Sequence, residues 1–556
     1  MTSAPDLILL NGRVLTLDDT RPRAQALAVA GGRIVAVGDE SELRALAGPA
    51  TRLIDAQGGT VLPGLIDSHV HAFAGSAERM FPDLFAVADL ETVRARVRPF
   101  AEAHPEDRLV LAVNASYAFF GEGVPVTRQR LDDVLPDRPF AVMAADHHTL
   151  WANTAALELA GILGGRDTPP GSEIVMAPDG TASGALLEPD AYGHVLRFSR
   201  FGGRELRGLI DGRDPDPAPT VEDRARDRDV LEEGLRHAAS LGLTSLQNMD
   251  GNLYQLRLLR ELEDTGRLPV RLRVPLHLKP WDPLERLREA DDMRRIAASR
   301  RVTTGTVKMF MDGVLDSYTA NCIEPYPGRP DTCGEPLFAA EAFEEICVRA
   351  DAMGLQIAVH AIGDGAVRRT LDGYAAARRV NGARDARHRI EHVEIFHPDD
   401  LPRFVELGVV ASMQPAHAPP AGRFAPYPYG DILRDRHRGC CFAFRRIRDA
   451  GVKLVFSTDW PVAPLDPLQS LRMAVAPDNL GPDWPDQSLT LHQALAAYTR
   501  DNAWVEFAED WKGRLAPGFA ADLVVLSHDL EALEPADLDQ ARAVLTMCDG
   551  EITHTA

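Results

Sequence analysis

The sequence of 556 residues is too long for a single hydrophobic core, and it predicts at least two domains. A hydrophobic fraction of 45% and a charged fraction of 26% are typical of globular proteins. The formal net charge of −22 argues against nucleic acid and against an anionic membrane as partners, because both require a basic surface.

The cysteines and the first residues predict the compartment. The six cysteines form no CxxC pair and are sparse for this length, which indicates free thiols in a reducing compartment. Residues 1–6 lack a basic region and the apolar stretch after them is short, so no secretory signal is expected. No apolar run approaches the ~20 residues that a membrane helix needs. We therefore expect a soluble, cytoplasmic protein.

Both ends of the chain are rich in short β-strand patterns. Residues 1–60 contain three apolar runs that are broken by Asn11-Gly12 and Gly31-Gly32, dipeptides that favour tight hairpins. Residues 512–556 contain two similar runs. Neither end can bury both faces of a sheet alone, so we predict that the two ends pair into one small β-domain.

Between these ends, helical and strand patterns alternate from about residue 228 onward. With residues 61–67 as the first, eight strands are predicted, the others over residues 244–249, 270–275, 305–310, 355–361, 388–394, 409–414 and 453–459. Eight βα units within residues 61–511 predict an α/β fold with a TIM-like barrel. A doubly wound open sheet is the alternative, but such a sheet gathers its ligands at one switch point. Polar residues follow five of these strands, which fits a closed ring better.

Residues 73–227 do not follow this alternation. They are too long for a loop and must form a structure of their own. They begin just after the first barrel strand, on the side where barrel active sites form. We therefore predict an insertion that acts as a lid.

Six side chains at or just past the ends of the predicted strands are candidates for one metal centre. They are His69, His71, Lys308, His360, His392 and Asp459. Imidazoles and carboxylates bind divalent metals, and the carboxyl ends of barrel strands meet at one place. His69 and His71 lie on one side of a strand because side chains alternate. The alternatives are hydrogen-bonded core histidines for His360 and His392, and a helix N-cap for Asp459.

The residues around these side chains resemble the amidohydrolase superfamily. The matching stretches are LPGLIDSHVH (62–71), HTLWAN (148–153), KMFMDG (308–313), HAIGD (360–364), SMQP (412–415) and GFAADL (518–523). Because these stretches occur together and in this order, the sequence resembles the branch of large metal-dependent amidohydrolases that includes N-substituted formamide deformylase. The resemblance implies a distorted (β/α)8 barrel, a small β-sandwich built from both termini, and one or two divalent metals, usually Zn²⁺.

The resemblance also implies a role for each metal ligand. His69 and His71 would bind the more buried metal. His360 and His392 would bind the second one. Asp459 would ligate the buried metal and handle protons. The number of metals stays open, since some branches of the family bind only one.

Lys308 stands where many members of the family carry a carboxylated lysine. A bare ammonium cannot ligate a cation, whereas a carbamate formed from CO2 is an anionic oxygen ligand. The resemblance therefore favours carboxylation of Lys308. The alternative is an ordinary lysine that pairs with a nearby carboxylate.

The expected chemistry is hydrolysis by a hydroxide, because a divalent metal lowers the pKa of bound water toward neutrality. Asp459 would take the proton and deliver it to the leaving nitrogen. His148 or His417 would donate a hydrogen bond to the oxyanion. The candidates for substrate binding are Trp151, Asp312, Gln414 and His417, with Glu188 as a further residue of the insertion. Packing or capping is the alternative for Trp151 and Asp312.

The leading hypothesis is a metal-dependent amidohydrolase that cleaves a non-peptide C–N bond of a small amide, formamide or N-acyl compound. Lactone or ester hydrolysis and metal-dependent decarboxylation need the same ligands and differ in pocket shape. A catalytically silent metal-binding protein is the third hypothesis, although such a protein is expected to have lost a ligand. Residues 416–424 are expected to influence specificity, with Arg423 either meeting an anionic substrate group or lying at the surface. A homodimer is common among members of the family.

Overall fold

The computed structural model describes residues 4–145, 147–169, 172–418, 432–477 and 484–556. Helices and strands occur together along most of this length, and the predicted α/β class is confirmed. The chain divides into two compact units, Met1–His71 with Leu235–Ala556, and Ala72–Gly234. Among the helices within the described ranges, none is long and apolar enough to cross a membrane.

Strands from both ends of the chain pair in one six-stranded sheet. In spatial order they are Arg23–Ala24, Arg13–Leu15, Thr60–Pro63, Leu523–Leu526, Ala543–Cys548 and Glu551–Thr555. A four-stranded sheet contains Arg33–Gly38, Ala26–Ala30, Leu7–Leu10 and Arg52–Asp55. Buried side chains of both sheets, among them Leu9, Val61 and Leu523, form one hydrophobic core. Burial of these apolar side chains holds the two chain ends together.

One of the two predicted N-terminal hairpins is wrong. Gly31 and Gly32 join two antiparallel strands with φ angles of +56° and +73°, which glycine adopts without strain. Asn11 also has a positive φ of +54°. However, the strands before and after Asn11-Gly12 belong to different sheets, so this dipeptide carries the chain from one sheet to the other.

The remaining strands of this unit are parallel and form two sheets. The first contains Val302–Thr303, Arg271–Arg273, Leu243–Asn248 and Leu65–Val70, and the second contains Leu276–His277, Thr306–Phe310, Gln356–Ala361, Arg389–His392, Val410–Met413 and Leu454–Phe456. A parallel bridge joins Val70, the last residue of the edge strand Leu65–Val70 in the first sheet, to Trp460, which follows the edge strand Leu454–Phe456 of the second sheet. Each of the eight predicted strand regions therefore contains a strand.

The first parallel strand begins later than the sequence predicts. The apolar run over residues 61–67 is divided between Thr60–Pro63, in the six-stranded terminal sheet, and Leu65–Val70, in the parallel sheet. Gly64 lies between the two strands, and only glycine fits there because a Cβ at this position would lie 2.2 Å from the Thr244 hydroxyl oxygen. One apolar run therefore serves two sheets.

Helices connect the parallel strands and follow the last one. They are Leu253–Asp264, Glu289–Ile296, Ala340–Ala352, Asp364–Asn381, Leu401–Leu407, Phe444–Asp449, Pro467–Val475, Leu491–Ala497 and Arg500–Val505, and the short helix Glu40–Arg44 precedes them all. Local sequence explains where two of them begin. The Asn252 side chain accepts a hydrogen bond from the Gln255 N–H, and Thr490 and Gln493 form a capping box.

The second unit, Ala72–Gly234, has its own sheet and core. Its five strands, in spatial order, are Glu173–Met176, Ala182–Leu187, Thr149–Ala152, Phe140–Ala144 and Val110–Ala115. Its helices are Ala72–Glu78, Leu90–Ala103, Arg128–Val134, Thr154–Ala160, Pro189–Leu196, Arg207–Ile210 and the first part of Val221–Ser240. The core includes Phe119, Phe140 and Trp151. Residues 73–227, the predicted insertion, fall within this unit, and their action as a lid stays a prediction.

Candidate metal centre

Two histidines and one aspartate meet in a buried cluster at the ends of the first and last parallel strands. His69 lies on Leu65–Val70 and His71 directly follows this strand, so their imidazoles are on the same side. Asp459 Oδ1 lies 3.3 Å from His69 Nε2 and 3.2 Å from His71 Nε2. The donor atoms of the three residues lie within 4.8 Å of one another, which is a spacing that one metal ion can bridge.

A second cluster shares Asp459. His392 Nδ1 and His417 Nε2 lie 3.8 and 3.9 Å from Asp459 Oδ2. The ring of His360 adjoins this cluster, with its centroid 4.5 Å from that of His392. His360 Nε2 donates to the Gly313 carbonyl oxygen at 3.0 Å, and this bond makes Nδ1 the nitrogen that can bind a cation.

The backbone of two cluster residues is strained. Asp459 and His392 have φ angles of +62° and +76°, which non-glycine residues rarely adopt. The Asp459 N–H donates to the His69 carbonyl oxygen at 2.9 Å, which helps to hold this conformation. Such strain persists only where the surrounding structure fixes the residue, and it concentrates at functional sites.

Lys308 is fully buried beside the two clusters. Among the described residues, no side chain or backbone group accepts a hydrogen bond from its Nζ. The Nζ lies 4.7 Å from the centroid of the Phe310 ring, which stacks on His360. Burial lowers the pKa of Lys308 to about 8. Leaving a buried amine without an acceptor is costly, so this environment fits a lysine that becomes a ligand better than a paired lysine.

The protonation states of the clusters suit cation binding. Burial lowers the pKa of His69 to about 3, and it lowers the pKa values of His360 and His392 well below the ordinary value. Burial alone would raise the pKa of Asp459, but the neighbouring imidazoles hold this pKa well below its usual range. Neutral imidazoles with a carboxylate anion are the forms that ligate a divalent cation.

Glu391, which the sequence alone does not single out, orients His69. His69 Nδ1 donates to Glu391 Oε2 at 2.8 Å, so Nε2 is the nitrogen that faces Asp459. The fully buried Arg389 pairs with Glu391 and also donates to the Ser68 carbonyl oxygen. A carboxylate in this position fixes the tautomer of a ligating histidine and raises its basicity. Two opposite charges two residues apart in a predicted barrel strand are the signal that could have identified the pair.

Asp67 is a second supporting residue that the sequence alone does not identify. It accepts hydrogen bonds from the His69 N–H at 3.1 Å and from the Thr458 hydroxyl at 2.6 Å. Burial raises the pKa of Asp67 to about 7. Asp67 therefore ties the strand that carries His69 to the residue just before Asp459, and its place two residues before His69 is the available signal.

Comparison with known proteins agrees with this geometry, since the model of the amidohydrolase family matches residues 52–554. The chain belongs to the amidohydrolase family. N-substituted formamide deformylase of Arthrobacter pascens is 29% identical over 100% of this chain and 99% of its own. Protein LONG AFTER FAR-RED 3 of Arabidopsis thaliana is 28% identical over 94% of this chain and 87% of its own. The crystal structure of an uncharacterized metal-dependent hydrolase from Pyrococcus horikoshii covers 95% of this chain and 99% of its own, with 24% identity and a TM-score of 0.73.

This amidohydrolase is a hydrolase that acts on carbon–nitrogen bonds other than peptide bonds. The predicted family is thereby confirmed. Four of the six predicted metal ligands take part in the two clusters that share Asp459. The other two, His360 and Lys308, lie beside these clusters.

Two predicted substrate residues of the amidohydrolase have structural partners. Gln414 Oε1 accepts from His392 Nδ1 at 2.9 Å, and Gln414 Nε2 donates to the Ser457 hydroxyl oxygen. The Asp312 carboxylate accepts from the backbone N–H groups of Asn321, Ile362 and Gly363. Both residues are buried, so Gln414 is placed to orient a histidine and Asp312 to hold two loops together.

The second unit contains His148, Trp151 and Glu188. His148 Nδ1 lies 2.9 Å from Glu188 Oε1, and both side chains are more than one third exposed. Trp151 is buried and contacts the rings of Tyr117 and Phe119, which is the packing role that the sequence left as the alternative. Of the loop over residues 416–424, residues 419–424 lie outside the described part of the chain, and Arg423 is among them.

Proposed function

We propose that this amidohydrolase cleaves a non-peptide C–N bond of a small amide, formamide or N-acyl compound. The observation that carries the proposal is the pair of buried histidine clusters that share Asp459, with Lys308 beside them, whose Nζ has no hydrogen-bond partner within the described ranges. The similarity to a formamide deformylase over nearly the full length of both chains supports this substrate class.

The donor atoms determine which residues would hold the metals. Imidazole nitrogens and carboxylate oxygens are preferred ligands of Zn²⁺, which is the metal we propose. His69 and His71 would hold one ion together with Asp459. His360 and His392 would hold a second.

We propose that Lys308 carries a carbamate that completes this ligand set. The neutral Nζ attacks CO2, a new C–N bond forms, and one proton is released, so that the product is an anionic oxygen ligand. Two features of the site support this modification. The amine is fully buried, which lowers its pKa to about 8, and it has no hydrogen-bond partner among the described residues.

The mechanism assigns the proton transfers to side chains of this enzyme. A divalent cation, when bound, lowers the pKa of a water and polarises the substrate carbonyl. Asp459, between the two clusters, accepts a proton from the attacking water and delivers it to the leaving nitrogen. His417, with Nε2 3.9 Å from Asp459 Oδ2, donates to the oxyanion. His148, oriented by Glu188, is the second candidate for this donor.

We further propose the architecture that the family implies. The parallel strands found in the eight predicted regions of residues 61–511 close into a distorted (β/α)8 barrel, and the sheets of residues 1–60 and 512–556 form a β-sandwich. The shared core of the two terminal sheets and the bridge between Val70 and Trp460 support this arrangement. Residues 73–227 act as the lid of a cytoplasmic enzyme that forms a homodimer.

The test is a substrate panel with the zinc-loaded enzyme. Formamides, N-acyl amines and simple amides are offered beside esters and lactones with the same side groups, and products are identified by mass spectrometry. We expect release of an amine and an acid. Asp459→Asn should lower the rate by about 10²–10⁴-fold, because it removes the proton-transfer group. Asp449→Asn, an exposed position in the helix Phe444–Asp449, is the matched control and should retain the wild-type rate.

Three outcomes would overturn the proposal. Acid and alcohol from esters, without amine from any amide, would favour lactone or ester hydrolysis. Carbon dioxide as the product would favour decarboxylation. Stoichiometric zinc without any product would favour a catalytically silent metal-binding protein.

A further inference from the structure

A cavity of about 180 Å³ lies beside the strand Arg271–Arg273, near the beginnings of the parallel strands. The strand register places Arg271 level with Ser245 and Ile66, and Ile66 lies three residues before His69 on its strand. Four cationic side chains line it, namely Arg271, Arg273, Arg300 and Lys512, together with Trp511 and Glu506. We call it the Arg273 cavity.

Two of the four cations are neutralised within the protein. Arg271 donates to both carboxylate oxygens of Asp522, at 2.8 and 2.9 Å. Lys512 Nζ donates to Glu506 Oε2 at 2.6 Å. The other oxygen of Glu506 accepts from Gln247 at 3.0 Å. The carboxylate that lines the cavity is therefore already engaged.

The other two cations have no carboxylate partner. In the part of the chain that the structure describes, neither Arg273 nor Arg300 lies within 4.0 Å of a carboxylate oxygen. Arg273 Nε donates to the Thr306 hydroxyl oxygen at 3.1 Å, and this is one hydrogen bond for a side chain with five donors. The Arg300 guanidinium lies 5.1 Å over the Trp511 ring. Burial lowers the pKa of Arg273 to about 10, which still leaves it charged at neutral pH.

A guanidinium without a carboxylate partner in a cavity is costly, and the charge of Glu506, which is already paired with Lys512, offsets this cost for Arg273 only in part. The local excess of positive charge contrasts with the net charge of −22 for the whole chain. Since one water occupies about 30 Å³, a cavity of about 180 Å³ has room for a small anion with a few waters. Guanidinium groups match the geometry of phosphate and carboxylate oxygens.

We propose that the Arg273 cavity binds a small oxyanion, held by the guanidinium groups of Arg273 and Arg300. This anion site is separate from the metal centre and does not depend on the proposed reaction. Bound anion neutralises the two unpaired arginines and links the strand Arg271–Arg273 to the C-terminal segment that contains Trp511 and Lys512.

Inorganic phosphate is the probe, in calorimetric titrations of the metal-loaded enzyme. We expect saturable binding to the wild type with one site at this cavity. Arg273→Gln should weaken this binding at least ~10-fold, since it removes charge-assisted hydrogen bonds. Arg295→Gln removes the same charge from a side chain that is 74% exposed, and it should leave the affinity unchanged.

A second variant covers the case in which Arg273→Gln does not fold. Arg300 is exposed at the rim of the cavity, so Arg300→Gln should fold, and it should weaken phosphate binding several-fold. Phosphate that binds at the metal centre would be equally tight in all variants. No saturable binding, or binding that neither cavity variant weakens, would overturn the proposal.

Discussion

Asp459 connects the two halves of the metal centre. Its Oδ1 faces His69 and His71, while its Oδ2 faces His392 and His417. One carboxylate therefore sets the spacing between the clusters, and its backbone is held in a strained conformation to do so. Replacing Asp459 would disturb both clusters at once. Replacing Glu391, which supports His69 without being a ligand, tests one contribution to metal binding separately.

Glu391→Gln should weaken metal binding while the ligands themselves stay in place. The amide of glutamine is neutral, so the hydrogen bond to His69 Nδ1 weakens and the imidazole becomes less basic. We expect zinc affinity to fall about 10–100-fold, as is typical when the partner of a metal-ligating histidine is removed. The measurement is competition with a chromophoric chelator.

Glu345→Gln is the matched control for this prediction, because Glu345 forms an exposed ion pair with Arg349. It should bind zinc as the wild type does. Equal zinc affinities for Glu391→Gln and the wild type would show that the carboxylate does not support His69.

Lys308→Ala should lose metal, and a small carboxylate should restore part of it. The substitution removes the proposed carbamate and leaves space beside the clusters for a free carboxylate to supply the anionic oxygen. We expect the zinc content after gel filtration to fall, and to rise again with acetate in the buffer. Elemental analysis of the protein provides the measurement.

Lys453→Ala is the control for the loss of a lysine, since Lys453 forms an ion pair with Asp501 away from the clusters. Its zinc content should not respond to acetate. Full zinc occupancy in Lys308→Ala without acetate would contradict a ligand role for Lys308.

At the scale of helices and strands, the sequence predicts those elements whose signal is local. The strand Gln356–Ala361 agrees with its predicted bounds to within one residue because its apolar residues form one run that ends at His360. The division of residues 61–67 at Gly64 follows from pairing with distant strands of two different sheets, and no local pattern contains it. The metal ligands could be predicted from the sequence because they end apolar runs. Glu391 and Asp67 could not, because their roles depend on partners in other strands.

The short helical turn Arg204–Leu206 in the second unit provides a pH-dependent prediction. Burial raises the pKa of Glu205 from 4.5 to about 7. Between these pH values the folded state keeps a proton that the unfolded state releases. The stabilising contribution of Glu205 is therefore complete below pH 4.5 and is lost as the pH rises to about 7.

Glu205→Gln should remove this dependence. We expect the variant to gain stability relative to the wild type between pH 5 and pH 8, by on the order of 3 kcal/mol. Urea unfolding at the two pH values measures the difference. Glu222→Gln, at an exposed position of the helix Val221–Ser240, should change stability equally at both pH values. A constant difference between Glu205→Gln and the wild type would contradict the shifted pKa.

On the scale of the whole molecule, the metal centre concentrates polar groups that the protein does not satisfy by itself. His71 Nδ1, Lys308 Nζ and Asp459 Oδ1 are buried without a hydrogen-bond partner among the described residues. Each such atom costs about 1–3 kcal/mol. The three residues lie on or just after different parallel strands, Leu65–Val70, Thr306–Phe310 and Leu454–Phe456. A cation that binds them would therefore stabilise the whole unit Met1–His71 with Leu235–Ala556.

Removal of the metal should therefore lower the melting temperature of the enzyme. Zinc at about 100 times its Kd contributes about 2.7 kcal/mol, which corresponds to a shift on the order of a few degrees. Calorimetry of chelator-treated protein, with and without added zinc, measures the shift. Hydrogen exchange should become faster in the peptides that contain His69, His360, His392 and Asp459, while the sheet of the second unit keeps its protection. An unchanged melting temperature, or faster exchange spread evenly over both units, would show that the cation does not hold these strand ends together.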